Sequence, residues 1–267
     1  MIRDITIGQY YKADSVIHRL DPRVKLMGTL IFIISLFMGM NIWIYAVVTV
    51  ALAGVIKMSR IPLKFMVRGL KSIVILIIIS AVFNLFLTPG DVLIQIWKLT
   101  ITYQGLKMAI FMVVRLIYLI VGTSLMTLTT TPNNLTDGLE KGLGFLKVIK
   151  VPVHEIAMMM SIALRFIPIL IEETDKIMKA QMARGADFEN GSLIKRAKAM
   201  VPILVPLFVS AFRRANELAM AMEARCYHGS EGRTKMKPLK YEKRDRIAYI
   251  SMVLYLGVII IVKIIAA

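Results

Sequence analysis

Five runs of mostly apolar residues, at about 26–40, 42–56, 70–87, 108–128 and 247–262, constrain this chain more than any other feature. Hydrocarbon holds no water to bond a backbone N–H or C=O, so such runs cross a bilayer only as helices or as strands of a closed barrel. A helical span needs roughly 20 apolar residues, with a range near 17–25. The five runs qualify or nearly qualify. The first two runs are short and are separated only by Gly39-Met40-Asn41 and its neighbours. They read as a tight helical hairpin, each helix extending a few residues beyond these limits. With 57% hydrophobic residues, the chain is too apolar for a soluble domain.

Lysine and arginine set the expected orientation, because short cytoplasmic loops carry the excess. Arg19, Arg23 and Lys25 precede the first run, and Lys57, Arg60, Lys64, Arg68 and Lys71 follow the second. The turn between the first two runs is uncharged. Between the third and fourth runs stand only Asp91, Lys98 and Lys107, and after the last run only Lys263. Residues 129–246 hold 20 Lys/Arg against 13 Asp/Glu, a local balance of +7. The expectation is an N-terminus in the cytoplasm, a C-terminus outside, and residues 129–246 in the cytoplasm or at its interface. The opening stretch, MIRDITIGQYYKADSVIHRL, lacks the continuous apolar core of a signal peptide, so the first run is expected to remain a membrane helix.

The formal net charge is +17. Such a balance suits nucleic acid, anionic lipid or acidic protein partners. Nucleic-acid binding calls for basic and aromatic residues interleaved on one face, and no such stretch occurs. The basic residues instead flank apolar runs. One cysteine, Cys226, rules out an intrachain disulfide and a cysteine-based metal framework. His18, His154 and His228 lie far apart without ligand spacing, so no metal site or cofactor is expected.

Within 129–246 the pattern changes to amphipathic helices. Thr131-Pro132 makes a good helix start, with a capping hydroxyl and a proline where its missing N–H costs nothing. Leu135, Leu139, Leu143 and Leu146 follow as one apolar stripe. A long helix is predicted over about 153–183, apolar in its first half and polar in its second, with Gly185 and then Asn190-Gly191 as stop signals. A second is predicted over about 192–225, with Pro202 and Pro206 expected to bend it. At about 1.5 Å per residue each exceeds roughly 40 Å. Both are more amphipathic than a membrane surface alone requires, so they are expected to cross each other and to face partners.

Each long helix closes on an arginine between small residues: Ala183-Arg184-Gly185 and Ala224-Arg225-Cys226. The small neighbours leave the guanidinium uncrowded, so the tip could enter a groove. Its planar fork pairs with carboxylates in two contacts, and a cation suits the negative end of a helix. A single such end reads as an ordinary helix terminus. Two in one block point to paired docking tips.

At this point the chain resembles the transmembrane T component (EcfT) of energy-coupling factor transporters. The residues that carry the resemblance are Leu20-Asp21-Pro22-Arg23-Val24-Lys25-Leu26, Thr129-Thr130-Thr131-Pro132, Leu164-Arg165-Phe166-Ile167-Pro168 and the two arginine tripeptides. The second tripeptide departs from the pattern, with Cys226 where glycine is common. The resemblance implies a non-catalytic scaffold in a prokaryotic cell membrane. It would join two cytoplasmic ABC-type ATPases, of EcfA and EcfA' type, to a substrate-binding membrane S component. ATP hydrolysis by the partners would drive uptake of a vitamin or metal ion. Ala183, Arg184 and Gly185 would dock on one ATPase, and Ala224, Arg225 and Cys226 on the other.

The expected fold is therefore an all-α integral membrane protein. It has a four-helix membrane domain (1–128), a cytoplasmic coupling domain of three amphipathic helices, two of them long (129–246), and a terminal membrane helix (247–267). Arg115 stands inside the fourth span, where a charge costs about 2.5–3.5 kcal/mol and needs a partner; Asn84 and Tyr118 are the candidates. Glu172, Glu173 and Asp175 are candidates to pair with Arg213 and Arg214. Asp187 and Glu189 are expected to shape the loop after the first tip. The 19 methionines, including Met158-Met159-Met160, suit either membrane packing or an adaptable partner surface.

Two other functions are weighed against the scaffold. A permease forming its own path would carry polar or broken helices near the midplane, and only Arg115 and Asn84 stand out there. A membrane enzyme would need a cluster of His, Asp or Glu, and no P-loop is present.

Overall fold

The computed structural model describes residues 10–71, 73–96, 99–186, 188, 192–229, 236 and 238–265. The expectations for residues 1–9, Asp187, Glu189 and Asn190-Gly191 lie outside these residues. The described chain is almost entirely helical: α1 (Pro22–Phe37), α2 (Ile42–Ser59), α3 (Leu63–Lys71), α4 (Val74–Leu87), α5 (Tyr103–Thr129), α6 (Pro132–Gly142), a 3-10 helix (Gly144–Ile149), α7 (Val153–Ala183), α8 (Leu193–Glu223) and α9 (Lys243–Ile265). Strands β1 (Val92–Ile96) and β2 (Leu99–Thr102) form an antiparallel hairpin between α4 and α5.

By length and hydropathy, α2, α5, α7 and α9 could each cross a membrane, and α3 with α4, bent by 64°, could make a fifth span. Three details differ from the sequence expectation. Helix α1 has 16 residues, about 24 Å at 1.5 Å each, short of a roughly 30 Å hydrocarbon core. Helix α7 qualifies because its first half, HEIAMMMSIALRFIPILI, is nearly free of charge. The run at 70–87 is also not one helix. Lys64, Arg68 and Lys71 recur at helical spacing in α3, which suits a water interface, whereas α4 is wholly apolar apart from Ser80 and Asn84. The chain breaks where these preferences change.

The backbone divides into two compact units, one formed by Gly8–Gly138 with Leu239–Ala267 and the other built on Leu139–Pro238. In the first, α5 packs against α1, α2, α3 and α4, while α9 packs against α1 and α2. One core cluster joins Leu36, Ile44, Tyr45, Val48 and Ile259; another joins Ile17, Ile61, Met66, Leu125 and Leu128.

The segment from Asp21 to Lys25 fastens three helix ends. The Asp21 side chain accepts from Arg23 N–H at 2.9 Å, capping α1 directly before Pro22. Its own N–H donates to Asp245 Oδ1 at 2.9 Å, and Asp245 Oδ2 accepts from Glu242 N–H at 2.8 Å. Asp245, 2% exposed, therefore caps α9 from inside its first turn while holding the start of α1. Arg23 pairs with Asp21 at 2.8 Å and lies 3.8 Å from the ring centroid of Tyr241. Lys25 Nζ donates to the carbonyls of Thr129 at 2.8 Å and His18 at 3.1 Å, so a cation closes the C-terminus of α5. His18 Nε2 donates to the Tyr11 carbonyl and its Nδ1 bonds Ser15 Oγ, and burial holds its imidazole below the ordinary range. Gly138 on α6 completes the junction: a Cβ there would stand 2.9 Å from Pro22 Cβ.

Arg115 is 8% exposed, and its Nε donates to the Tyr45 hydroxyl at 3.0 Å. Its guanidinium lies 5.1 Å from the Phe37 ring. Neither expected partner serves: Asn84 donates to the Ser80 carbonyl on its own helix, and the Tyr118 hydroxyl bonds Thr49. The partner comes from α2, because α5 lies against it at this level.

Removing the Asp245 carboxylate leaves the buried N–H of Asp21 and the part-buried N–H of Glu242 without their acceptor. Asp245→Ala is expected to destabilise the fold by about 2–3 kcal/mol. Thermal unfolding in detergent checks this, with exposed Asp14→Ala as the near-neutral control.

Candidate docking site

Both arginine tips are built the same way. At the end of α7 the N–H of Gly185 donates to the Met182 carbonyl at 2.9 Å, and that of Ala186 to the Gln181 carbonyl at 3.0 Å. At the end of α8 the N–H of Cys226 donates to the Glu223 carbonyl at 2.9 Å, and that of Tyr227 to the Met222 carbonyl at 3.1 Å. This is the Schellman pattern, in which two crossed bonds satisfy the last free carbonyls of a helix. It places Arg184 and Arg225 at equivalent cap positions, both exposed. The residue after each arginine must then adopt positive φ, and it does: Gly185 at 89° and Cys226 at 54°.

The third residue of each tripeptide thus carries a second constraint beside small size. Glycine adopts positive φ without strain, whereas an L side chain there costs on the order of 1–2 kcal/mol. Cys226, exposed and free, bears that strain. The sequence reading missed this requirement, and the glycine at 185 was its one visible signal.

Helices α7 and α8 run antiparallel along their length. Gln181 Nε2 reaches the Pro202 carbonyl at 3.5 Å, and near the far end Tyr227 OH donates to Met158 Sδ at 3.2 Å. Between them Glu173 accepts from Ser210 Oγ and from Arg214 Nη2, the latter at 3.0 Å. The expected pairing of Glu173 with Arg214 is present, whereas Asp175 pairs with Lys179 one turn along its own helix at 2.6 Å. The antiparallel register puts Arg184 and Arg225 at opposite ends of the pair. With about 25 residues between their levels, the tips stand roughly 40 Å apart.

Much apolar surface on this pair is open. Val201, Leu204, Val205, Phe208 and Phe212 on α8 are each more than half exposed, and the Phe208 and Phe212 rings meet at 4.7 Å between centroids, tilted by 56°. Their spacing is one helical stripe. On α7, Met159 and Met160 are exposed, as are Met182 at its end and Met220 on α8. His154 Nδ1 meets Glu140 Oε1 at 2.8 Å, joining α6 to the start of α7.

Four or five helices long and apolar enough to cross a membrane make this an all-helical integral membrane protein, and its relatives are membrane subunits of transport systems. A profile for the CbiQ cobalt transport protein family matches residues 13–236. The chain is 56% identical over 250 residues to the energy-coupling factor transporter transmembrane protein EcfT of Thermosediminibacter oceani, covering 94% of each chain. It is 57% identical over 250 residues to EcfT of Clostridium kluyveri, with 93% of each covered. Against EcfT of Bacillus subtilis it is 48% identical over 254 residues, covering 95% of this chain and 96% of the relative. The chain belongs to this family, as the transmembrane component of an energy-coupling factor transporter.

Relief of positive-φ strain makes Cys226→Gly stabilising for the end of α8 by about 1 kcal/mol, while Gly185→Val loosens the end of α7 by on the order of 1–2 kcal/mol. Hydrogen exchange of the Gly185, Ala186 and residue 226–227 amides reads both effects. A double-mutant cycle on Glu173→Ala and Arg214→Ala is expected to give a coupling of about 0.5–1 kcal/mol, since both side chains remain partly solvated.

Proposed function

We propose that this chain is the coupling subunit of an energy-coupling factor importer. It ties two cytoplasmic ATPases to a membrane S component that binds a micronutrient, a vitamin or a metal ion. Residues 129–246 form the coupling region on the cytoplasmic side, flanked by membrane domain 1–128 and the last helix, 247–267. The N-terminus is then cytoplasmic and the C-terminus outside. The chain itself catalyses nothing, and ATP is hydrolysed by the partners.

One observation carries this reading. Two arginines sit in identical caps at opposite ends of one antiparallel helix pair. A separation of roughly 40 Å suits two separate partners better than two contacts with one. Each tip presents a guanidinium fork between small residues, a shape suited to a groove lined by carboxylates. Ala183, Arg184 and Gly185 engage one ATPase, and Ala224, Arg225 and Cys226 the other. Because α7 and α8 are packed together and joined by Glu173, Ser210 and Arg214, movement at one tip loads the other. The open stripe from Val201 to Phe212 is the surface through which that movement reaches the S component.

Arg184→Glu and Arg225→Glu are each expected to abolish capture of one ATPase and cut substrate uptake at least tenfold, while membrane insertion stays normal. Co-purification of the ATPases from membranes, paired with an uptake assay, tests this. Normal uptake by both single variants sinks the assignment.

A further inference from the structure

The unit that contains α1, α2, α5 and α9 holds two adjoining cavities at the end where α1 and α9 begin and α2 stops. Among the described residues the outer one, about 660 Å3, is lined by Arg19, Lys57, Arg60 and Arg244 against one carboxylate, Asp14. The inner one, about 590 Å3, runs between the helices and is walled by apolar groups such as Phe32, Val55, Leu125 and Met252. Val16, Met58 and Arg244 line both, so the basic basin opens onto the apolar crevice.

The charges in the basin are only partly answered from within. Asp14 pairs with Arg19, and its backbone carbonyl, not its carboxylate, meets Arg60 at 3.5 Å. Arg244 pairs through Nη2 with Glu242 at 2.6 Å, but its Nε is buried and has no hydrogen-bond partner among the described residues. A buried N–H of a guanidinium without an acceptor is costly, and an oxyanion at this junction supplies one. Lys57 stands exposed on the rim.

We propose that the paired cavities are a binding site for an anionic phospholipid, with its phosphate among Arg244, Lys57 and Arg19 and an acyl chain in the crevice. Basic basins beside membrane helices recruit acidic headgroups, and the crevice adds apolar contact. A free phosphate would use the basin alone, and a neutral lipid the crevice alone. The junction at Arg244 requires both chemistries in one molecule. Gly54 marks the crevice wall: a Cβ there meets nothing within 4 Å, so a larger side chain can be placed in the space.

The test is native mass spectrometry of the full-length chain in neutral detergent, supplied with equimolar dioleoylphosphatidylglycerol and dioleoylphosphatidylcholine. The wild type is expected to retain the glycerol lipid at least fivefold over the choline lipid. Lys57→Gln with Arg244→Gln should bring that ratio near one, whereas Arg244→Lys should preserve the preference. Gly54→Leu should reduce retention of both lipids. Millimolar inorganic phosphate should leave the adducts in place. If the double variant fails to fold, Lys57→Gln alone carries the same expectation, since its side chain is exposed. Equal retention of the two lipids by the wild type overturns the proposal, as does a preference that survives the charge variants. Displacement of the lipid by inorganic phosphate overturns it by showing a site for phosphate alone. Disulfide or photochemical capture of a protein helix through Gly54→Cys in native membranes overturns it in favour of a protein partner.

Discussion

Every helix leaves four N–H groups and four C=O groups without intrahelical partners, and the cost of leaving them bare rises steeply away from water. In a chain this apolar, that constraint determines where the polar residues go. Asp245 receives the N–H groups of Asp21 and Glu242, and so starts two helices at once. Lys25 closes α5 by donating to Thr129. The ends of α1, α5 and α9 are thereby held together by a few side chains.

The same constraint, met differently, shapes the ends of α7 and α8. Residues 183–186 and 224–227 satisfy their last carbonyls with backbone alone, through crossed bonds that need a positive φ. No side chain is used in the cap, so each arginine is left with its guanidinium free to face outward. A cap made by a side chain would have drawn the charge back onto the helix. Packing α7 against α8 in antiparallel register then sets two equivalent ends far apart on one helix pair.

Much of this was legible along the chain. The Asp21-Pro22 start, the Thr131-Pro132 start, the limits of α7 and the two arginine ends follow from local capping chemistry and hydrophobic period. What was not legible depended on residues far apart in sequence. Arg115 meets Tyr45, seventy positions away, where nearer candidates on its own side of the chain had seemed suitable. The Asp21–Asp245 bond spans 224 positions. The hairpin of β1 and β2 is hard to read from the sequence because its strands, though rich in β-branched residues, are only five and four residues long and lie between two strong helical runs; Gln104 and Asp91 fasten it to the start of α5. The break between α3 and α4 was hidden because an interfacial helix and a buried one share the same apolar residues and differ only in where the charges fall.

By itself, the sequence determined that the chain is a helical membrane protein, where its long amphipathic helices lie, and which two arginines end them, because span length, helical period and capping are properties of neighbouring residues. Only the tertiary structure decided which residue bonds Arg115, what Asp245 and Lys25 hold, why position 226 is strained, and that the two arginines stand at opposite ends of one pair. Those outcomes depend on which helix faces are brought together. Non-directional apolar packing permits many such arrangements, and it is the sparse polar contacts between distant helices that select one.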